Sequence, residues 1–156
     1  MKITPEEIRQ LQVDEKFRQL EESKRRDLER KKHAWESVKD VSIPFNRTLD
    51  KIVEYAKANP SEREMSVPHV VYDGHDLGLT TQELTSYQRE AVEQLVLCDL
   101  VKAGFRVYRD FEGSDVISWG TEEEAPTVDR MDHDGRYQQK LHLLTLKDLE
   151  RPTFEK

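Results

Sequence analysis

The sequence predicts an α+β protein: a long N-terminal helix, a small domain of two helices packed on an antiparallel β-hairpin or small sheet, and an extended C-terminal tail. Three observations predict it. Between Pro5 and Asp40 there is no glycine and no further proline, and Gln, Glu, Arg, Lys and Leu, all good helix formers, dominate. From residue 81 to 103 apolar residues recur three and four apart, the spacing that keeps side chains on one helix face. At Phe105 the period changes to two, and after Gly113 a second β-prone run begins.

The N-terminal helix starts at Thr4, whose hydroxyl suits an N-cap, with Pro5 at the first helical position and Glu6 and Glu7 against the positive helix end. Its apolar residues are sparse. Phe17, Leu20, Leu28, Trp35 and Val38 form a thin stripe, and Phe17, Leu28 and Trp35 do not share one strict heptad. Such a helix is either solvated and docked at its ends or an arm that packs on another chain.

A second helix is expected after Val41, with Ser42 as N-cap and Pro44 in its first turn. Phe45, Leu49, Ile52, Val53 and Ala56 give it a regular amphipathic stripe, which should pack on the core helix before Asn59-Pro60 ends it. Met65 to Tyr72 has strand character, and Pro68 places it at a sheet edge. Asp73-Gly74 and Leu77-Gly78 mark turns.

The most apolar helix comes next. Thr80-Thr81-Gln82-Glu83 fits a capping box. Leu84, Tyr87, Ala91, Leu95 and Cys98, with Val92, Val96, Leu100 and Ala103 beside them, then make a stripe so wide that the helix must be buried on most sides. Gly104 is the expected left-handed residue after its end. Phe105 to Phe111 and Val116 to Trp119 follow as hairpin strands, and the register stays open: Phe111 pairs with Val116 across a tight loop or with Ile117 across a wider one. After Gly120 the chain turns polar. Leu141, Leu143, Leu144, Leu146 and Leu149 then supply a docking segment, as a short strand or a helical turn.

The chain of 156 residues has room for one domain with appendages, divided as a helical arm over 1–40, a core domain over 41–120 and a linker with docking tail over 121–156. Charged residues make up 37% of it and hydrophobic ones 35%, so much of it is solvated surface. The net charge of −7 disfavours broad binding to nucleic acid, which neutralises phosphates with Lys and Arg. One basic band, with Lys24, Arg25, Arg26, Arg30, Lys31 and Lys32, is the only place where phosphates could be held. The single cysteine, Cys98, lies in the apolar helix as an inert thiol, which suits a reducing cytoplasm. Residues 1 to 7 lack the apolar stretch of a signal peptide, and no run approaches the ~20 apolar residues of a membrane span.

Two clusters carry metal-ligand residue types: His69, Asp73, His75 and Asp76, and Asp129, Asp132, His133 and Asp134. A divalent site would have to combine both loops, with His75, Asp76, Asp132 and His133 as ligands, because residues adjacent in sequence point to different sides. Asp and Gly serve turns equally well. No Gly-rich phosphate loop, nucleophile with a nearby base or cofactor motif is present. A helix followed by a hairpin suggests a winged helix, but residues 81 to 120 carry four Lys or Arg against seven Asp or Glu.

Lys102-Ala103-Gly104-Phe105-Arg106-Val107 leading into Val116-Ile117-Ser118-Trp119, in a small charge-rich chain, resembles small accessory proteins of tailed bacteriophages. The resemblance implies a protein that acts by binding other proteins, in the virion or in the host cytoplasm. It carries over no functional residue. The expectation is a non-enzymatic interaction module without cofactor, which holds another protein or a second copy through the N-terminal helix. Phe17, Leu28 and Trp35, and secondarily Leu141, Leu143 and Leu144 of the tail, are the expected contacts, with Trp35 the best anchor because aromatics are enriched among hot spots.

Overall fold

The computed structural model describes residues 2–110, 113–121 and 141–154. Helix α1 (Pro5–Ser37) is 33 residues long and starts as expected, with the Thr4 hydroxyl accepting from the Glu7 amide at 3.2 Å. Helix α2 (Ser42–Ala58) follows after four residues. Its N-terminal cap is not Ser42, which is already helical. Instead the Asp40 carboxylate accepts from the Ser42 amide at 2.9 Å. The expected stripe of α2 is rotated, because Pro44, Thr48 and Ile52 are buried while Val53 is 49% exposed. Thr48 can sit inside because its hydroxyl donates to the Pro44 carbonyl at 2.8 Å.

Strand β1 (Glu64–Ser66) ends before Pro68, and a short 3₁₀ turn spans His75–Leu77. Helix α3 (Ser86–Lys102) begins later than the Thr80 box suggests: the box that forms is Thr85 with Gln88, each side chain bonded to the other's amide. Ala91, Val92, Val96, Leu97, Cys98 and Leu100 are buried along it, and Leu95 is half-buried against them. Gly104 ends the helix with φ 103°, while its amide and that of Phe105 bond back to the Val101 and Leu100 carbonyls.

Strands β2 (Arg106–Arg109) and β3 (Asp115–Ser118) form the expected hairpin in neither expected register. Val107 pairs with Ile117 and Arg109 with Asp115, and the Asp110 amide donates to the Ser114 carbonyl, so the loop is narrower than either reading. Phe111, on which both readings relied, lies outside the described residues. The register puts Val107 and Ile117, both fully buried, side by side against the core. The tail supplies strand β4 (His142–Leu143), which pairs with β2, and one helical turn, α4 (Leu146–Leu149), capped by Thr145 and Asp148. The sheet is antiparallel in the order β1-β3-β2-β4, so β1 is the edge that Pro68 suggested.

The core gathers α2, α3, the sheet, and two pieces from the ends of the chain. Leu144 and Leu149 pack into it from the tail, and Ala34, Trp35 and Val38 from the last turns of α1. Arg151 ties these two pieces together by donating to the carbonyls of Trp35 and Val38, at the unsatisfied end of α1. No described helix is long and apolar enough to cross a membrane.

Candidate functional site

From Lys2 to Arg30 every residue is exposed except Glu22, and α1 runs free of the core up to Asp27, which accepts from Tyr87 of α3, for about 22 helical residues, roughly 33 Å. The apolar side chains on it are therefore bare. Phe17 is 65% exposed, Val13 59%, Leu20 and Leu28 53%. Of the thirteen large hydrophobic residues exposed among the described residues, seven lie between Ile3 and Leu28, a sixth of the chain. Single exposed apolar residues are ordinary; a concentration on one free element marks a contact surface.

The predicted contacts divide. Phe17 and Leu28 are free. Trp35 is 3% exposed and Leu144 4%, so both are corrected to core residues: a side chain enclosed by its own domain has no area left for a partner. Leu143 is 45% exposed on β4, and Leu141 is half-buried. Val13, Ile8 and Leu11 are exposed apolar residues of the arm that the thin-stripe reading passed over. Val13 was signalled by the seven-residue step to Leu20.

The arm is held helical by surface ion pairs. Arg18 bridges Glu15 at 2.7 Å and Glu22 at 3.3 Å, Arg25 meets Glu29 at 2.8 Å, and Arg26 meets Glu22 at 3.1 Å. The Arg18 hydrogen bond lowers the Glu15 pKa, and the same contact raises that of Arg18. Three cations of the basic band are thus already paired, since Lys32 also meets Glu36 at 4.0 Å. Of the rest, Lys24 and Lys31 share one face at a seven-residue step, but Arg30 points about 100° away from Lys31, so these three do not converge.

The histidine-aspartate loop is a clasp. The Asp76 carboxylate accepts from the Asp73 amide at 3.0 Å, the Asp73 carboxylate accepts from the Asp76 amide at 3.2 Å, and Arg47 of α2 reaches Asp76 at 2.9 Å. His75 Nδ1 is 3.8 Å from the Asp73 carboxylate. Among the described residues no three His, Cys, Asp or Glu side chains are grouped to hold a metal ion; Asp132 and His133 lie outside them. The amide of Asp73, with Arg47 behind it, lowers the Asp76 pKa. A carboxylate depressed in the folded state stabilises fully above its unfolded value of about 3.9 and loses that contribution as pH falls through the folded value. Asp76→Asn should therefore lower Tm at pH 7, and the gap to the parent should narrow as the pH drops below about 4. An undiminished gap in acid would assign the effect to something other than the charge.

A cleft of 620 Å³ lies between α2, the extended segment 66–72 and α3, with Thr48, Val92 and Val96 among its walls. Burial and the charge of Glu93 raise the pKa of the Tyr72 hydroxyl at this cleft. Among the described residues no hydrogen bond joins Tyr72, His69, Arg89 and Glu93 into a nucleophile-base arrangement. Cys98 is buried in α3.

Comparison with protein-family models, curated proteins and solved structures finds no match for this chain.

Proposed function

We propose that this protein is a non-enzymatic protein–protein interaction module that takes its partner on the free part of α1. The observation that carries the proposal is Phe17, 65% exposed near the middle of a helical arm that leaves the domain and, with Ile3 just before it, carries seven of the thirteen large hydrophobic residues exposed among the described residues. Aromatic side chains bury a large area at small entropic cost, and they dominate binding energy where they occur. The resemblance to bacteriophage accessory proteins extends the proposal to a virion component or a protein directed at host machinery.

The test separates binding from folding. Phe17→Glu adds a charge to a side chain that touches no core residue, so the melting temperature should stay within about 2 °C of the parent, as for ordinary surface substitutions. Partner capture from the native cell should fall at least tenfold, the range of about 1.4 kcal/mol or more that a hot-spot aromatic supplies. Unchanged capture would remove α1 as the contact surface.

A further inference from the structure

Four residues make a continuous seam on the arm: Gln10, Val13, Phe17 and Leu20 follow one another at steps of three and four, with Glu6 and Lys24 at its two ends. This is heptad spacing. The charges beside the seam are sorted by sign. One edge carries Glu7, Asp14 and Glu21 at seven-residue steps, and the other carries Arg9 and Lys16. The intrahelical ion pairs of α1 use Glu15, Arg18, Glu22, Arg25, Arg26, Glu29, Lys32 and Glu36, none of which is on either edge. Glu7, Glu21, Arg9 and Lys16 have no ion pair among the described residues. Asp14 accepts only from Gln10, at 3.0 Å.

A second copy cannot use this seam well in either direction. In a parallel pair the acidic edge of one helix meets the basic edge of the other, which is favourable. Yet Val13, Leu20, Asp27 and Ala34 lie at successive seven-residue steps, as do Phe17, Lys24, Lys31 and Val38. The seam and the docked face are therefore one face, drifting only about 20° per heptad. Ala34 and Val38 on that face are buried by the chain's own domain, and Tyr87 of α3 donates to Asp27 at its border. A parallel partner helix would have to pass through that domain. In an antiparallel pair each edge faces its own kind, acid to acid and base to base.

We infer that the arm takes one amphipathic helix of a different protein, with a bulky apolar seam for Phe17, Val13 and Leu20, one basic edge and one acidic edge. Such a helix needs about 18 residues to cover Glu6 to Ser23, roughly 27 Å. It stops before Asp27, where the domain begins. The edges set direction: the partner's basic edge lies along Glu7, Asp14 and Glu21, and its acidic edge along Arg9 and Lys16.

This inference rests on the arm being the contact surface, and the experiment separates the two. The full chain is examined by sedimentation equilibrium and titrated with two synthetic helical peptides of identical composition and identical Leu/Ile seam. One has a lysine edge and a glutamate edge; in the other the signs alternate along both edges. The expected results are monomer mass at every concentration, and at low salt at least tenfold tighter binding of the first peptide, a ratio that shrinks as salt screens the edges. Phe17→Glu should abolish binding of both with the melting curve unchanged. Equal binding of the two peptides overturns the inference, and so does a concentration-dependent doubling of mass that Phe17→Glu removes. That doubling would leave the arm as contact surface with a second copy as its occupant. Peptide binding, mass and cellular capture all indifferent to Phe17→Glu would overturn the arm itself.

Discussion

Trp35→Ala should unfold the protein more easily by about 3 to 5 kcal/mol, the range for removing a large aromatic from a core. At roughly 2 to 4 °C per kcal/mol for a chain of this size, Tm falls by on the order of 10 °C. Trp35 is 3% exposed and packs among Val38, α3 and the tail. Its indole N–H has no hydrogen-bond partner, so the loss is one of packing and carries no broken indole hydrogen bond. The carbonyl of residue 35 still accepts from Arg151 in the variant, since that contact is to the backbone. Leu28→Ala is the control on the same helix: 53% exposed, it should change stability by no more than about 0.5 kcal/mol. Thermal melts of both decide the matter, and an unaltered Tm for Trp35→Ala would show that the last turns of α1 are not part of the core.

Sequence showed the residues of the arm more clearly than their surroundings. Helix α1, the body of α3 and the Gly104 stop follow from propensity, period and a residue able to adopt positive φ, all local properties. Which end of α1 is free is not local. Trp35 and Phe17 look alike on a charged helix, and what separates them is where α3 and the tail happen to lie. The start of α3 was ambiguous for a plainer reason: Thr80 with Glu83 and Thr85 with Gln88 both fit the same capping pattern. The choice falls to the loop before it. The Gly74 amide donates to the Gln82 carbonyl at 2.8 Å, and a Cβ at position 74 would come within 1.8 Å of the Thr81 carbonyl oxygen. That closure holds 81 and 82 in the loop, so the helix begins after them. The hairpin register likewise depended on a loop. Asp110 accepts from the Ser114 amide through its carboxylate, and Gly113 takes φ 86°, which brings the strands together one step earlier than β-propensity alone suggests.

The tail gives the second large effect. Leu149→Ala should cost about 2 to 5 kcal/mol, because the side chain is 1% exposed and fills the core from the last helical turn. Leu146→Ala, in the same turn but 45% exposed, should be near neutral. The tail is joined to α3 by Gln94, which donates to the carbonyls of Leu149 and Glu150 at 3.2 and 3.1 Å, and to α1 by Arg151. Leu149 and Trp35 therefore support one another through shared neighbours, and their losses should not add. In a double-mutant cycle a coupling of about 0.5 to 3 kcal/mol is expected, against near-additivity for independent sites. Denaturant midpoints of the two single variants and the double variant measure it. Strict additivity would mean that the tail docks on α3 without steadying the base of the arm. With coupling, loosening the tail should also speed amide exchange over residues 31–38 while leaving the already solvated residues 6–23 unchanged, because only the former depend on the core for their protection.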